Sequence, residues 1–130
     1  MATIEKFGDL EVWQLSRCLC QRIEDIISSE KLNRRYAIKD QIERSSGSIM
    51  DNIAEGFGRS GGLEFRNFLG YAKGSCSELK SQIYRLYDKH LILEEDYEDL
   101  SAQCDHINAK LGSFIKYLSA TKYRGTNFKS

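Results

Sequence analysis

The 130-residue chain carries 19 basic and 19 acidic residues, 41% hydrophobic residues and no proline. That length suits one hydrophobic core and is too short for two, and no stretch approaches the roughly eighteen uninterrupted apolar residues of a membrane span. The absence of net charge removes the simplest electrostatic reason to bind nucleic acid, but the charge is uneven: residues 1–30 sum to −3 and residues 110–130 to +5. A basic tail over 120–130, with Lys122 and Arg124, is therefore where an anionic partner would be met.

The opening MATIEKFGDLEVW has neither the basic start nor the apolar run of a signal peptide, so the expected compartment is the cytoplasm. Val12, Leu15 or Ser16, Leu19, Ile23 and Ile26 then repeat at helical spacing, broadened by Trp13, Cys20 and Ile27. They predict a first helix over about 10–29 that touches more than one neighbour. The polar break Ser28 to Arg35 has the length of a loop between antiparallel helices.

A second helix is expected over about 36–57. Ile38, Ile42, Ile49 and Ile53 form its apolar seam, and a small, polar stripe of Gln41, Ser45, Ser48, Asn52 and Glu55 runs beside it. Its interior SSGS would weaken an isolated helix, so tertiary packing has to hold it. The corner from Gly58 to Gly62 predicts a stop through left-handed glycines and a restart. In the third helix, about 63–89, the expected seam is Phe65, Phe68, Ala72, Cys76, Leu79, Ile83 and Leu86, with Ser75, Glu78 and Gln82 as its polar neighbour. Gly70 and Gly74 each cost about 0.8–1.0 kcal/mol of helix propensity relative to alanine, which predicts close approach of another backbone.

The fourth helix, about 94–119, opens on Glu94, Glu95, Asp96, Glu98 and Asp99, where negative charge complements the helix dipole. Tyr97, Leu100, Cys104, Ile107, Leu111, Phe114 and Leu118 then repeat without a fault. The four patterns predict an all-α chain, an up-down-up-down antiparallel four-helix bundle in one domain.

Signs of catalysis are few. Cys18 and Cys20 sit about 200° apart around a helix and cannot clasp one metal, Cys76 and Cys104 fall on seams and read as buried thiols, and the Glu-x-x-His spacing of di-iron bundles is absent. Neither a cofactor nor a metal is expected, and no catalytic residue is assigned. The leading polar constellation is Asn52, Glu55, Ser75 and Glu78. With Gln41, Arg44 and Ser48 it reads as a network that fixes the register of the second and third helices or joins subunits. Arg35, Lys39, Arg59 and Arg66 could line a phosphate-holding surface, although Asp40, Glu43, Asp51 and Glu64 are interleaved with them.

These residues also carry a family likeness. Phe7, Asp9, Leu10, Val12 and Trp13 supply F-x-D-L-x-V-W. The centre supplies Gln41, Ile42, Arg44, Ser45, Ser48, Ile49 and the run NIAEGFGR from Asn52 to Arg59, followed by Glu64, Phe65, Phe68, Leu69, Ala72, Gly74, Ser75, Glu78 and Leu79. The chain resembles, over nearly its whole length, the bacterial four-helix-bundle proteins encoded in intervening sequences of 23S ribosomal RNA genes. It departs at Leu32-Asn33-Arg34-Arg35-Tyr36, where the family often has a proline and an acidic residue. The resemblance implies a ring-like homopentamer without established enzymatic activity, and a related pentameric bundle binds RNA and a reverse transcriptase through a basic surface. The function expected is thus a non-enzymatic, homo-oligomeric binding protein that contacts structured RNA or a ribonucleoprotein, with no membrane partner. The alternative is a protein-interaction scaffold that never meets nucleic acid.

Overall fold

In the computed structural model, residues 4–59 and 61–121 are described, so Lys122 and Arg124 of the expected basic tail lie outside the described residues. The described chain is all-helical: α1 Glu11–Ile27, α2 Tyr36–Phe57, α3 Gly62–Asp88 and α4 Glu94–Ala120, with single 3-10 turns at Phe7–Asp9 and Glu30–Leu32. Helix α2 packs on α3, α3 on α4, and α1 on both α2 and α4. No described helix is long and apolar enough to cross a membrane.

One apolar core joins all four helices, and the isoleucine seam of α2 lies in it with Ile42, Ile49 and Ile53 at 0% exposure. The seam of α3 differs from expectation at one position. Leu69 is buried and Phe68 is half-buried, so the inward residues are Phe65, Leu69, Ala72, Cys76, Leu79, Ile83 and Leu86, an unbroken alternation of four and three. Phe68 is displaced to the edge because Gly56 of α2 sits against it: a Cβ built on Gly56 would lie 2.5 Å from Phe68 Cβ and 3.1 Å from Phe65 Cδ1. The close approach within the chain is therefore at Gly56. At Gly70 and Gly74, where it was expected, a Cβ would meet nothing within 4 Å.

The corner between α2 and α3 is also made differently. Gly58 has φ −76° and Gly61 has φ −130°, so neither is left-handed. The stop comes from the Gly58 N–H donating to the Ala54 and Glu55 carbonyls and the Arg59 N–H donating to Gly56. The loop before α2 is anchored by Leu32, at 0% exposure, inside the 3-10 turn Glu30–Leu32.

The end of α3 holds the described chain's positive-φ non-glycine residue, His90, at φ 58°. The Leu91 N–H donates to the Leu86 carbonyl at 2.9 Å and the His90 N–H to Tyr87 at 3.0 Å, the paired bonds of a Schellman motif with His90 at the position that favours glycine. Leu86 and Leu91, its apolar contact pair, are both buried. His90→Gly is expected to stabilise the chain by roughly 1 kcal/mol, since a left-handed conformation costs a side-chain-bearing residue about that much. Urea unfolding would read this as a higher midpoint at unchanged slope; an unchanged midpoint would contradict it.

Candidate functional site

Two features at the α2–α3 contact are candidates: a polar seam along its length and a basic cleft at one end. The seam begins from the small residues that interrupt α2. The Ser45 hydroxyl donates to Gln82 Oε1 at 2.6 Å, with both residues buried. One turn on, Ser48 and Ser75 Oγ are 2.9 Å apart, and Asn52 Nδ2 donates to the Ser48 carbonyl at 2.8 Å and to Ser48 Oγ at 2.9 Å. That donation leaves the Ser48 proton to be given to Ser75. Toward the other end Arg85 Nη1 donates to Gln41 Oε1 at 3.0 Å. Residue numbers rising along α2 meet numbers falling along α3, and three rungs, 41 to 85, 45 to 82 and 48 to 75, hold the register.

The carboxylates expected with this network stand outside it. Glu55 is exposed and accepts from Arg59 Nη2 at 3.0 Å. Glu78 is exposed on the rim of an open groove of about 610 Å³ that Gln41, Arg44, Ser45, Ser48, Ser81, Gln82 and Arg85 also line. Arg44 pairs with Asp40 at 2.8 Å. Thus Ser48, Asn52 and Ser75 come together, Gln41 bonds separately to Arg85, and Glu55, Glu78 and Arg44 do not enter the hydrogen-bonded chain.

The thiols Cys76 and Cys104 are both buried, with Cys76 Sγ donating to the Cys104 carbonyl at 3.2 Å. The neighbouring Cys76 side chain and burial push the Cys104 thiol up. Among the described residues no three His, Cys, Asp or Glu side chains gather as metal ligands. The acidic first turn of α4 is partly engaged: Asp96 and Asp99 both pair with Arg22 of α1, and Glu94 accepts from the Tyr87 hydroxyl at 3.1 Å.

The four helical cations proposed for phosphate contact separate into two groups at opposite ends of α2, whose 22 residues span about 33 Å. Arg59 and Arg66 at the corner are occupied. Arg59 pairs with Glu55, reaches Glu64 at 3.9 Å and lies 5.0 Å over the Phe68 ring; Arg66 donates to the Gly62 carbonyl and to Ser119 Oγ. Arg35 and Lys39 are at the other end, where the start of α2 meets the end of α3. There a cleft of about 300 Å³ is lined by Arg34, Arg35, Tyr36, Ala37, Ile38, Arg85 and Lys89. Among the described residues no carboxylate pairs with any of its four cations or with Lys39. Lys39 Nζ instead lies 6.0 Å from the centre of the Tyr36 ring, which is 72% exposed.

Helix electrostatics account for half of this cluster. Arg85 and Lys89 sit at the C-terminal end of α3, where cations are favoured by about 0.3–1 kcal/mol. Arg34 and Arg35 sit at the N-terminal end of α2, where the sign is reversed, and α2 has neither an acidic residue in its first turn nor a side-chain cap. These two arginines are held where the helix dipole opposes them, which is costly unless an anion visits. Sequence reasoning reached Arg35 and Lys39 but missed Tyr36, Arg85 and Lys89 as partners. Arg85 and Lys89 are about fifty residues from Arg35 in the chain, and only the packing of α3 on α2 unites them.

Comparison with known proteins agrees with this architecture. The profile of the family described as 23S rRNA-intervening sequence protein matches residues 8–113. A solved structure from Bacteroides thetaiotaomicron, described as a protein of unknown function from the S23 ribosomal protein family, is similar with a TM-score of 0.74 and 28% sequence identity, covering 81% of this chain and 98% of its own. A search of curated proteins gave no match.

Proposed function

Since the chain belongs to the 23S rRNA-intervening sequence protein family, we propose that it is a non-enzymatic binding protein, an up-down-up-down four-helix bundle whose copies assemble into a ring and contact structured RNA or a ribonucleoprotein. The observation that carries the RNA contact is the convergence of Arg34, Arg35, Arg85 and Lys89 on one cleft, none of them with a carboxylate partner among the described residues, in a chain of zero net charge. Converging cations that no carboxylate neutralises are what phosphates release counterions to meet. The absence of catalysis is supported by the state of the polar seam. Ser45 gives its hydroxyl to Gln82 and Ser48 to Ser75, so these two serines face neutral partners and not the base that an activated nucleophile needs.

Assembly is supported by surface the single chain leaves uncovered. Leu63 at 64% and Tyr71 at 58% are exposed on α3, and Gly70 and Gly74 are exposed on the same helix to either side of Tyr71. Small residues beside apolar ones on a helix face suit close packing against another copy, and five copies is the number the family resemblance implies. On this reading Gly74→Leu leaves the chain folded, because nothing in the chain lies within 4 Å of that position, yet disperses the assembly. Light scattering should find a mass several-fold lower than the parent's at an unchanged helical signal; a variant with the parent's mass would remove α3 from the interface.

The RNA reading is tested by titrating a labelled structured RNA at two salt concentrations. Affinity should fall steeply as salt rises, with a logarithmic slope of about −0.7 to −0.9 for each phosphate neutralised. Failure to bind at low salt would leave the protein-interaction scaffold as the better reading.

A further inference from the structure

We propose that the cleft at the α2–α3 end takes an unpaired stretch of RNA, with backbone phosphates on Arg34, Arg35, Arg85 and Lys89 and one base stacked on Tyr36. This rests on the RNA contact proposed above and narrows it to single-stranded segments. Three features of the cleft carry it. Its cations come from two chain segments, the loop before α2 and the last turns of α3, and none has a carboxylate partner among the described residues. The carboxylate next to it on α2, Asp40, is held by Arg44 at 2.8 Å. An aromatic ring, Tyr36, stands 72% exposed and lines the same cleft as those cations.

A solvent-facing ring in a positively charged cleft is the pairing used to hold single strands. Phosphates supply affinity along the groove, and an unstacked base adds its face to the ring. A duplex offers phosphates but no free base face, so the ring would gain nothing from it. The size agrees: about 300 Å³ is the lower end of small-ligand clefts, room for one nucleotide and its flanking phosphates. Lys39, with its Nζ 6.0 Å from the centre of the same ring, adds a further cation at this end of α2. The adverse position of Arg34 and Arg35 at the start of a helix is then accounted for, because a bound phosphate reverses the sign of that interaction.

The test uses the full chain in its native assembly state and two fluorescent probes, an oligouridylate of about twelve nucleotides and an RNA duplex of about twenty base pairs. Tyr36→Ala should weaken the oligouridylate by about tenfold to a hundredfold, leave the duplex unchanged, and be rescued by Tyr36→Trp. Arg35→Asp should lower affinity for the oligouridylate while unfolding in urea no earlier than the parent, which separates a lost ligand contact from a lost structural one. Equal losses on both probes, or no loss with Tyr36→Ala while the parent binds the oligouridylate, would overturn the single-strand site and leave general RNA contact standing. No binding of either probe or of a structured RNA at low salt would remove both.

Discussion

Phe65→Ala should cost about 3–5 kcal/mol, the range for emptying a buried aromatic site, and lower the melting temperature by about 10–20 °C. Phe65 is at 0% exposure and meets rings from two other helices edge to face, Phe57 of α2 at 5.9 Å and Phe114 of α4 at 5.4 Å. Removing it takes a shared contact from α2, α3 and α4 together, at the corner where α2 gives way to α3. The chain's whole stability is on the order of 5–15 kcal/mol, so one substitution takes a large fraction. Thermal unfolding followed by circular dichroism would check it; a shift below about 3 °C would mean that the corner is not part of the cooperative core.

Gly56→Ala is expected to destabilise by about 1–3 kcal/mol, although alanine is the better helix former by about 1 kcal/mol. The new methyl would fall 2.5 Å from Phe68 Cβ, an atom fixed to its backbone, so α2 and α3 must part rather than a side chain turn aside. Gly70→Ala is the control. It lies on the same pair of helices with open space around it, and in the single chain it should gain what helix propensity offers. Urea unfolding of both, read at equal slope, would contradict the packing account if the Gly56 variant proved the more stable of the two.

Much of this fold can be read along the chain, because each helix declares its inward face by period alone. Ile38, Ile42, Ile49 and Ile53 need no partner to be recognised as a seam, and neither does the regular run from Tyr97 to Leu118. Phase at the edge of a seam is harder. Phe68 and Leu69 both satisfy a three-four spacing on α3, and the choice between them is made by α2, which comes so near at Gly56 that the ring has to lie along its side. The conformation of His90 was likewise hidden, since a glycine would have announced the turn and a histidine does not.

The polar positions divide in the same way. Ser48, Asn52 and Ser75 lie on facing stripes at matching heights, so sequence alone could pair them. Glu55 and Glu78 share those stripes by number but point past the contact, and long charged side chains follow solvent and salt partners more than period. The basic cleft draws Arg34, Arg35 and Tyr36 from the loop before α2 and its first residue. Its other half is Arg85 and Lys89, and nothing in a local window connects the two.

The division between an occupied corner and a basic end with no carboxylate partner among the described residues gives the account its sharpest consequence. Ultraviolet crosslinking of bound RNA, followed by mass spectrometry of the peptides, tests it most directly. Crosslinks are expected on residues 31–39, with Tyr36 foremost, and on residues 84–89; crosslinks confined to the Arg59 and Arg66 corner would contradict it.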